Sequence, residues 1–436
     1  PLQTLAVDQT LLDGGTAIVA ARRADEVPDI HEIQRLAEAA GFEVVGAITQ
    51  RRREDRTYNL GRGKAETLAE RAAETDADAV VFDGELTPGQ YGDLLDLLPA
   101  GTNLVDRYRL VLEIFAAGAG DERATKQVEL ATLEYELPRL RERTEEQLLN
   151  KRAEKGTPVY DVEDRIDRLK TELQSLSDDA ERRRESRREE GFDLVAIAGY
   201  TNAGKSTLLH RLADDLSLAD HDAAHDDEAQ TASAEDRLFE TLETTTRRAT
   251  VEGRRVLLTD TVGLIDDLPH GLVESFSATL DEIRDSDAVL AVVDASLDAE
   301  RFERRARVSM EIMADGAETV VPVLNKADRV SESVLAERRE TVRAIAPDAA
   351  EPITISALEG TGLDDLRAAV RDVLPGAATT LTLPNTGDAQ ALVSWLHERG
   401  DADVSYGEDD VTVAFESRPS IVAEAERRAE RLAADG

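Results

Sequence analysis

A glycine-rich run in the middle of the chain has the residue types and spacing needed to hold a phosphate. Residues 199–207 read GYTNAGKST, and residues 192–198 before them, FDLVAIA, form an apolar run that predicts a buried strand. The amphipathic segment that begins at Leu208 predicts a helix. Strand, G-x-x-x-x-G-K-S/T and helix, in that order, are typical of a phosphate-binding loop, whose backbone N–H groups and helix N-terminus face one anion.

We expect this phosphate-binding loop to use its backbone together with two side chains. Lys205 supplies a charge for the outer phosphates, and Ser206 supplies a hydroxyl for Mg²⁺. A plain glycine-rich turn is the alternative that the motif alone leaves open. The residues expected to bind nucleotide here are Gly199, Tyr200, Thr201, Asn202, Ala203, Gly204, Lys205, Ser206 and Thr207.

Further motifs follow in order, and each stands at or near the end of an apolar run that predicts a strand. The runs are 256–260 leading into DTVG (260–263), 288–294, 319–324 leading into NKAD (325–328), and 352–355 leading into Ser356 and Ala357. Ligands of open parallel sheets bind at the carboxyl ends of the strands. The ordered set therefore predicts a guanine-nucleotide site.

The base is expected to be chosen by the NKAD motif and the serine–alanine pair. The carboxylate of Asp328 can accept from the exocyclic amine and the ring N–H of guanine, and adenine lacks both donors in that arrangement. Asn325 acts beside it, Lys326 packs over the ring, and the Ala357 N–H meets the base oxygen. The expected base-binding residues are Asn325, Lys326, Asp328, Ser356 and Ala357.

The expected magnesium site joins Ser206 to Asp260 and one threonine of the segment ETTTRR. Thr245 is the favoured threonine, although spacing also leaves Thr244 and Thr246 open. Asp260 is expected to orient Mg²⁺ through a water, so the predicted metal set is Ser206, Thr245 and Asp260.

Gly263 gives the site a switch, because its N–H can read the γ-phosphate. Residues 260–269 are therefore expected to order with triphosphate and to relax after hydrolysis. The predicted catalytic residues are Lys205, Thr245 and Gly263.

The residue after Gly263 indicates slow intrinsic hydrolysis. Familiar GTPases place a glutamine there to orient water, and this chain has Leu264. Acceleration of GTP hydrolysis is then expected from a group that is not part of the chain. One candidate is K⁺ held by Asn202, as an asparagine at this position does in some GTPases, which would stabilise developing charge. The alternative is that Asn202 only caps the turn.

The composition of the chain indicates the salt content of its solvent more than the kind of partner it binds. The 436 residues carry 52 basic and 91 acidic side chains, a net charge of −39, and no cysteine. This resembles a cytosolic protein of a salt-loving, archaeal-like organism, and in molar salt the screening length falls to about 3 Å, so the charge does not exclude RNA. Disulfides are excluded, no apolar run reaches the ~18 residues of a membrane span, and the cytoplasm is the expected location.

The pattern predicts four parts built on an α/β plan. They are an N-terminal domain with a small parallel sheet (1–120), a long antiparallel helical hairpin (121–190), a nucleotide domain with a doubly wound, mostly parallel sheet (191–376), and a small α+β module (377–436). In the last part, Trp395 is expected in the core.

The acidic stretch 214–236, with nine acids and no Lys or Arg, is expected to be a mobile loop in which His221 and His225 hold no metal.

Two basic islands stand out in the acidic chain. The basic loop, residues 50–64 (QRRREDRTYNLGRGK), has six basic residues and Tyr58, which fits either a solvated loop or RNA contact through phosphate and stacking. Five arginines between 182 and 188 end the hairpin, where an exposed helix with ion pairs is the alternative to an RNA-facing stripe.

These motifs together resemble the HflX family of GTPases. The matching segments are GYTNAGKST, DRLFETLETTTRR (236–248), DTVGLIDDLPHGLVESF (260–276), NKAD, GRGK (61–64), VFDGELTPGQ (81–90), LVDRYRLVLEIFAAGA (104–119) and KQVELATLEYELPRL (126–140). The resemblance covers about residues 15–376. It implies an N-terminal α/β domain, a helical linker, a GTPase domain, and binding to the large ribosomal subunit and its RNA.

Two segments depart from the family pattern. The linker reads RAEKGTPVYDVEDRI (152–166) where a GPGE-type segment is usual, and the acidic insertion is longer. The expected function is a GTP-binding and GTP-hydrolysing switch on the large ribosomal subunit, in ribosome splitting or rescue under stress, with a monomer favoured. The alternative is a GTP-switched regulator of a protein partner. An RNA-modifying role would need a second catalytic domain or partner, and the chain shows no cysteine nucleophile.

Overall fold

The structure, a computed structural model, describes residues 14–119, 122–149, 157–213, 245–261, 263, 283–314, 316–317, 319–407 and 409–435. It divides into two compact units, whose described parts fall within 14–175 and 176–435. Within these residues no helix is long and apolar enough to cross a bilayer.

The first unit begins with a four-stranded parallel sheet. Its strands are β1 (Gly15–Arg23), β2 (Phe42–Arg51), β3 (Ala79–Asp83) and β4 (Asn103–Asp106), in the order β2-β1-β3-β4. Its helices are α1 (His31–Ala39), α2 (Arg62–Thr75), α3 (Pro88–Leu97) and α4 (Arg107–Gly118). Parallel strands need crossover helices, which bury both faces of the sheet. The middle of β1 and all of β3 are accordingly buried, as the predicted small parallel sheet requires.

Two long helices follow, α5 (Glu122–Leu149) and α6 (Thr157–Glu189). The leucine stripe predicted from the sequence packs between them: Leu130, Val162, Ile166 and Leu169 are buried, with Leu133, Leu137, Leu140 and Leu173 against them. Lys126 pairs with Glu172, and Arg141 pairs with Glu163. The later residue of α5 thus contacts the earlier residue of α6, as in helices that run in opposite directions. The antiparallel hairpin is therefore confirmed, and its tip at 150–156 lies outside the described residues.

The second unit is organised around a six-stranded sheet. Its strands are β5 (Asp193–Gly199), β6 (Thr245–Val251), β7 (Arg254–Asp260), β8 (Ala288–Asp294), β9 (Val320–Asn325) and β10 (Ile353–Thr354), in the order β10-β9-β8-β5-β7-β6. All neighbours are parallel except β6, which runs antiparallel to β7. The doubly wound, mostly parallel sheet predicted from the sequence is confirmed.

Helices cover both faces of this sheet. They are α7 (Lys205–Leu212), α8 (Ala299–Ala314), α9 (Glu332–Ile345) and α10 (Leu363–Val373). Successive residues of a strand point to opposite faces. Val195 of β5 therefore joins the core beneath α7 and α10, while Ala196 joins the core beneath α8 and α9. This two-sided burial fixes the carboxyl ends of five strands along one edge.

The last part of the second unit is a small α+β module. It contains β11 (Ala377–Pro384), α11 (Gly387–His397), β12 (Asp401–Tyr406), β13 (Asp410–Ser417) and α12 (Pro419–Asp435), with an antiparallel sheet in the order β11-β13-β12. Trp395, expected in the core, packs only partly buried against it. The guanidinium groups of Arg399 and Arg428 lie 4.8 and 4.3 Å from its ring centroid.

A buried charge cluster joins this module to the amino ends of the large sheet. Arg418, directly after β13, donates to Asp193 at 2.7 Å and also binds Asp287. Arg254 donates to the other oxygen of Asp193 at 2.7 Å and to Pro375 O at 2.8 Å. Each carboxylate thus has a counter-ion, which buried charges require.

The arginine cluster at the end of α6 is partly used inside the same unit. Arg184 is buried and pairs with Asp285, and Arg188 pairs with Asp287 at 3.5 Å. These two side chains are therefore engaged by the turn that precedes β8, so fewer arginines of the cluster are available for the predicted RNA-facing stripe.

Candidate active site

Two glycines of the phosphate-binding loop have no room for a side chain. Gly199 has φ +151°, and a Cβ there would lie 2.2 Å from Val292 O. Gly204 has φ +93°, and its Cβ would lie 2.2 Å from Asn325 Nδ2. Asn202 also has a positive φ, +61°, which asparagine tolerates better than most residues. The loop between β5 and α7 therefore packs closely against β8 and the end of β9 at its two glycines.

Lys205 begins α7 and is buried. Its Nζ donates to Tyr200 O at 3.0 Å, across the loop. Burial lowers the pKa of the ammonium, and the charge of Asp260 opposes that shift. Gly263 packs against the same loop, since a Cβ there would lie 2.7 Å from Thr201 Cγ2 and 3.0 Å from Lys205 Nζ. The DTVG motif and the phosphate-binding loop are thus in direct contact.

Ser206 and Asp260 form a pair that fits a divalent cation. Ser206 Oγ donates to Asp260 Oδ2 at 2.7 Å. The other oxygen, Oδ1, is buried without a hydrogen-bond partner among the described residues. Burial raises the pKa of Asp260, while Lys205 and the Ser206 hydrogen bond lower it. A hard oxygen donor left unsatisfied beside a hydroxyl is what Mg²⁺ coordination would satisfy.

The ladder between β6 and β7 distinguishes two of the three candidate threonines. Thr245 lies directly opposite Asp260, and cross-strand partners share a face of the sheet. Thr246 is on the other face, where its Oγ1 lies 3.2 Å from Thr259 Oγ1. The geometry therefore favours Thr245 over Thr246, while Thr244 lies outside the described residues.

Asn325 ties the two halves of the site together at the end of β9. Its Nδ2 donates to Ala203 O at 2.8 Å, and its Oδ1 accepts from Ala357 N at 2.9 Å. The Ala357 N–H was expected to meet the base oxygen, but here the side-chain amide engages it within the protein. Ser356 Oγ donates to Asp328 Oδ1 at 2.5 Å, which orients the carboxylate.

Two contacts to the base-binding residues come from side chains that the sequence motifs do not include. Lys326 Nζ donates to Asp294 Oδ2 at 2.7 Å. Arg211 of α7 donates to Ala357 O at 3.0 Å and to Leu358 O at 2.6 Å. Asp294 stands at the carboxyl end of a central strand, the position where α/β ligands bind, and that signal could have found it. Arg211 has no such signal.

Some predicted features fall where the structure gives no description. Leu264, Thr244, the remainder of the switch to residue 269 and the acidic insertion with His221 and His225 lie outside the described residues.

Comparison with known proteins gives matches in both units. A family model described as "GTP-binding GTPase N-terminal" matches residues 28–116, and one described as "50S ribosome-binding GTPase" matches residues 194–326. The protein named GTPase HflX of Thermococcus kodakarensis is 36% identical over 377 residues, which cover 83% of this chain and 80% of its own. Those of Thermofilum pendens and Methanocaldococcus jannaschii are 34% and 33% identical, covering 98% and 85% of this chain and 100% and 88% of theirs.

Proposed function

Since the chain belongs to the HflX family of GTPases, we propose that it associates with the large ribosomal subunit and acts there as a GTP-dependent switch. The observation that carries this proposal is the match of residues 194–326 to a family described as ribosome-binding. Most of the candidate nucleotide site lies within these residues. Splitting or rescue of ribosomes under stress is the role that we propose for the switch.

The phosphate side of the site is proposed to act through charge and fixed backbone donors. Lys205 and the loop N–H groups hold the phosphates, and Gly263 N–H contacts the γ-phosphate. Ser206, Thr245 and Asp260 would hold Mg²⁺, which when bound neutralises charge on the β- and γ-oxygens. Because Gly263 already lies against Thr201 and Lys205, a small displacement there would separate the triphosphate state from the diphosphate state.

The base side is proposed to select guanine through Asp328, whose orientation Ser356 fixes. Lys326 covers the ring, and Asn325 holds the phosphate-binding loop against the segment that carries Ala357. A carboxylate held in one orientation loses little freedom on binding, which strengthens its two hydrogen bonds to the base.

Potassium is the proposed accelerator of hydrolysis, through Asn202. The left-handed backbone of this residue suits glycine as well, so Asn202→Gly removes the amide without straining the loop. We expect K⁺ to stimulate GTP hydrolysis by about tenfold over Na⁺ at equal ionic strength, and the variant to lose that stimulation. Phosphate release in matched KCl and NaCl measures this stimulation.

Asn385→Ala, a change at an exposed position outside the site, should keep the stimulation by K⁺. Full stimulation of Asn202→Gly would show that Asn202 only caps the turn.

The basic loop is the proposed RNA contact, because its fold is fixed from within while its charges face outward. Gly61 N donates to Gln50 Oε1 at 2.8 Å, and Arg22 Nε donates to Asn59 Oδ1 at 2.7 Å. Gln90 Nε2 donates to Glu54 Oε1 at 2.8 Å. The exposed basic side chains are Arg51, Arg52, Arg53, Arg56, Arg62 and Lys64.

Tyr58 of the basic loop packs against the core of the first unit. We therefore assign the RNA contact to the arginines and not to aromatic stacking. Arginines on a pre-ordered loop bind phosphates with little loss of conformational freedom.

Charge reversal in the basic loop tests the ribosomal proposal. We expect the protein to co-sediment with large subunits in high KCl with a GTP analogue and not with GDP. Arg51→Glu combined with Arg53→Glu should weaken this association by about tenfold or more, because two phosphate contacts become repulsive. Arg71→Glu, an exposed change on α2, is the control.

The two parts of this test have separate outcomes. Wild-type protein that shows no nucleotide-dependent association would contradict the ribosomal proposal. Association that is unchanged in the double variant would contradict only the assignment of the RNA contact to the basic loop.

A further inference from the structure

Asp294 is a charged residue outside the nucleotide motifs that contacts one of them directly. It ends β8, where it lies opposite Asn325 of β9 in the parallel ladder. Ala295 N donates to Asn325 O at 2.9 Å and continues the pairing past the strand end. The register of the sheet therefore places the Asp294 carboxylate beside Lys326, the next residue of the NKAD motif.

The carboxylate of Asp294 is engaged through both of its oxygens. Oδ2 accepts from Lys326 Nζ at 2.7 Å, and Oδ1 accepts from Ser296 N at 2.8 Å and from Ser296 Oγ at 2.6 Å. The side chains of Asp294 and Lys326 are only 13% and 22% exposed. An ion pair with this limited access to water is screened less by salt than a surface pair.

Lys326 is constrained at both ends. Its backbone has φ +64°, an unfavourable conformation for a lysine, and this directs the start of the side chain. Asp294 fixes the ammonium at the other end. A free lysine side chain has many rotamers, so this double constraint removes most of the freedom that nucleotide binding would otherwise have to remove.

The same ion pair also gives the Lys326 ammonium a partner other than Asp328, the acidic residue of the NKAD motif. Asp328 is two residues beyond Lys326, and its carboxylate is the group assigned to the guanine donors. Opposite charges so close in one loop attract each other. An ammonium that moved to Asp328 would occupy an acceptor that the base needs. Asp294 supplies the competing partner that draws Lys326 away.

We propose that Asp294 is a positioning residue for guanine-nucleotide binding, which holds Lys326 in place for the base and keeps its ammonium from Asp328. This inference rests on the base-binding roles proposed above for Lys326 and Asp328. Its effect is to slow the release of bound nucleotide without touching the nucleotide itself.

A double-mutant cycle tests the proposal, with release of a fluorescent GDP as the measurement. Asp294→Asn should accelerate release by about tenfold, the usual scale for one charge-assisted contact, and Lys326→Met should do the same. In the Lys326→Met background, Asp294→Asn should add nothing, because the two changes remove one interaction. Asp294→Glu should restore part of the slow release. Asp298→Asn is the matched control, since the carboxylate of Asp298 accepts from Arg301 N and pairs with the Arg301 guanidinium of α8.

The competing explanation is that Asp294 merely supports the end of β8. In that case Asp294→Asn would accelerate release equally with and without Lys326, and this result would overturn the proposal. The midpoint of thermal unfolding, measured for every variant, separates a folding defect from a change in release. A wild-type protein that fails to bind GDP would contradict the proposed function, whereas tight wild-type binding with unchanged release from Asp294→Asn contradicts only this inference.

Inosine diphosphate tests the second half of the proposal, because its base lacks the exocyclic amine that Asp328 recognises. If freed Lys326 moves to Asp328, Asp294→Asn should lower the preference for GDP over inosine diphosphate, and Lys326→Met should restore that preference. A preference that stays the same in Asp294→Asn would overturn the claim that Asp294 keeps the ammonium from Asp328.

Discussion

Replacing Asp328 by asparagine is expected to weaken the binding of GTP and GDP by about a hundredfold or more. The carboxylate is proposed to accept from two guanine donors, and Ser356 Oγ, at 2.5 Å, fixes its orientation. The hydroxyl itself accepts from Glu359 N at 3.2 Å, so its hydrogen is directed to Asp328. An asparagine would keep its oxygen on Ser356 and turn its amino group to the base, where two donors would face each other.

The same substitution should create a new preference. Xanthine carries a carbonyl where guanine carries the exocyclic amine, and the asparagine amino group can donate to it. Titration of the variant with GDP and with xanthosine diphosphate measures both effects. Asp364→Asn, at a fully exposed side chain, should bind GDP normally. If Asp328→Asn kept its affinity for GDP, the base would have to be recognised elsewhere.

The second large effect is expected from Gly263→Ala, which should abolish GTP-dependent behaviour while sparing GDP. The new Cβ would lie 2.7 Å from Thr201 Cγ2 and 3.0 Å from the Thr201 Cα and the Lys205 Nζ. The phosphate-binding loop is held by Asn325 and cannot retreat easily. Gly263 must therefore move away and take its N–H from the γ-phosphate, which GDP does not have.

The size of this effect follows from the loss of the N–H group that is proposed to contact the γ-phosphate. We expect GTP hydrolysis to fall by about a hundredfold or more, and GDP affinity to change by less than about threefold. Phosphate release and GDP titration measure the two quantities. Gly387→Ala is the matched control, since nothing lies within 4 Å of a Cβ there. Normal hydrolysis by Gly263→Ala would refute the γ-phosphate role of this residue.

The parts of the site that could be read from the sequence are those set by local sterics. A strand, a tight glycine turn and a helix follow one another within twenty residues, and Gly199 and Gly204 have the positive φ values that favour glycine in such a turn. The ordered strands predicted the parallel sheet because each apolar run is buried on both faces. Local patterns of this kind decide the positions of Lys205, Ser206 and Asp260.

The contacts that the sequence did not predict join residues far apart in the chain. Arg211 reaches Ala357 across 146 positions, and Asp294 reaches Lys326 across 32. Neither pairing has a local pattern, since each depends on which helix or strand packs next to which. The size and apolar character of Trp395 predict a core position, but its ring is only partly buried, and the guanidinium groups of Arg399 and Arg428 lie over it.

The spacing of apolar residues predicts a helical hairpin over 121–190 as a separate part of the chain, but such spacing does not reveal where compact units divide. In the structure α6 is one continuous helix of 33 residues, and the boundary between the two compact units falls within it. The end of a helical pattern therefore marks the end of a helix and not necessarily the boundary of a compact unit.

The buried charge cluster has a consequence for how the small α+β module can be studied. Arg418 belongs to this module, yet it neutralises Asp193 and Asp287, and Asp193 begins the strand that leads into the phosphate-binding loop. A truncated chain ending before Arg418 would leave interior carboxylates short of a cation, a costly state. Loss of activity after such a deletion would then reflect damage to the six-stranded sheet. The function of the small α+β module itself is therefore better tested by point substitutions on its exposed surface.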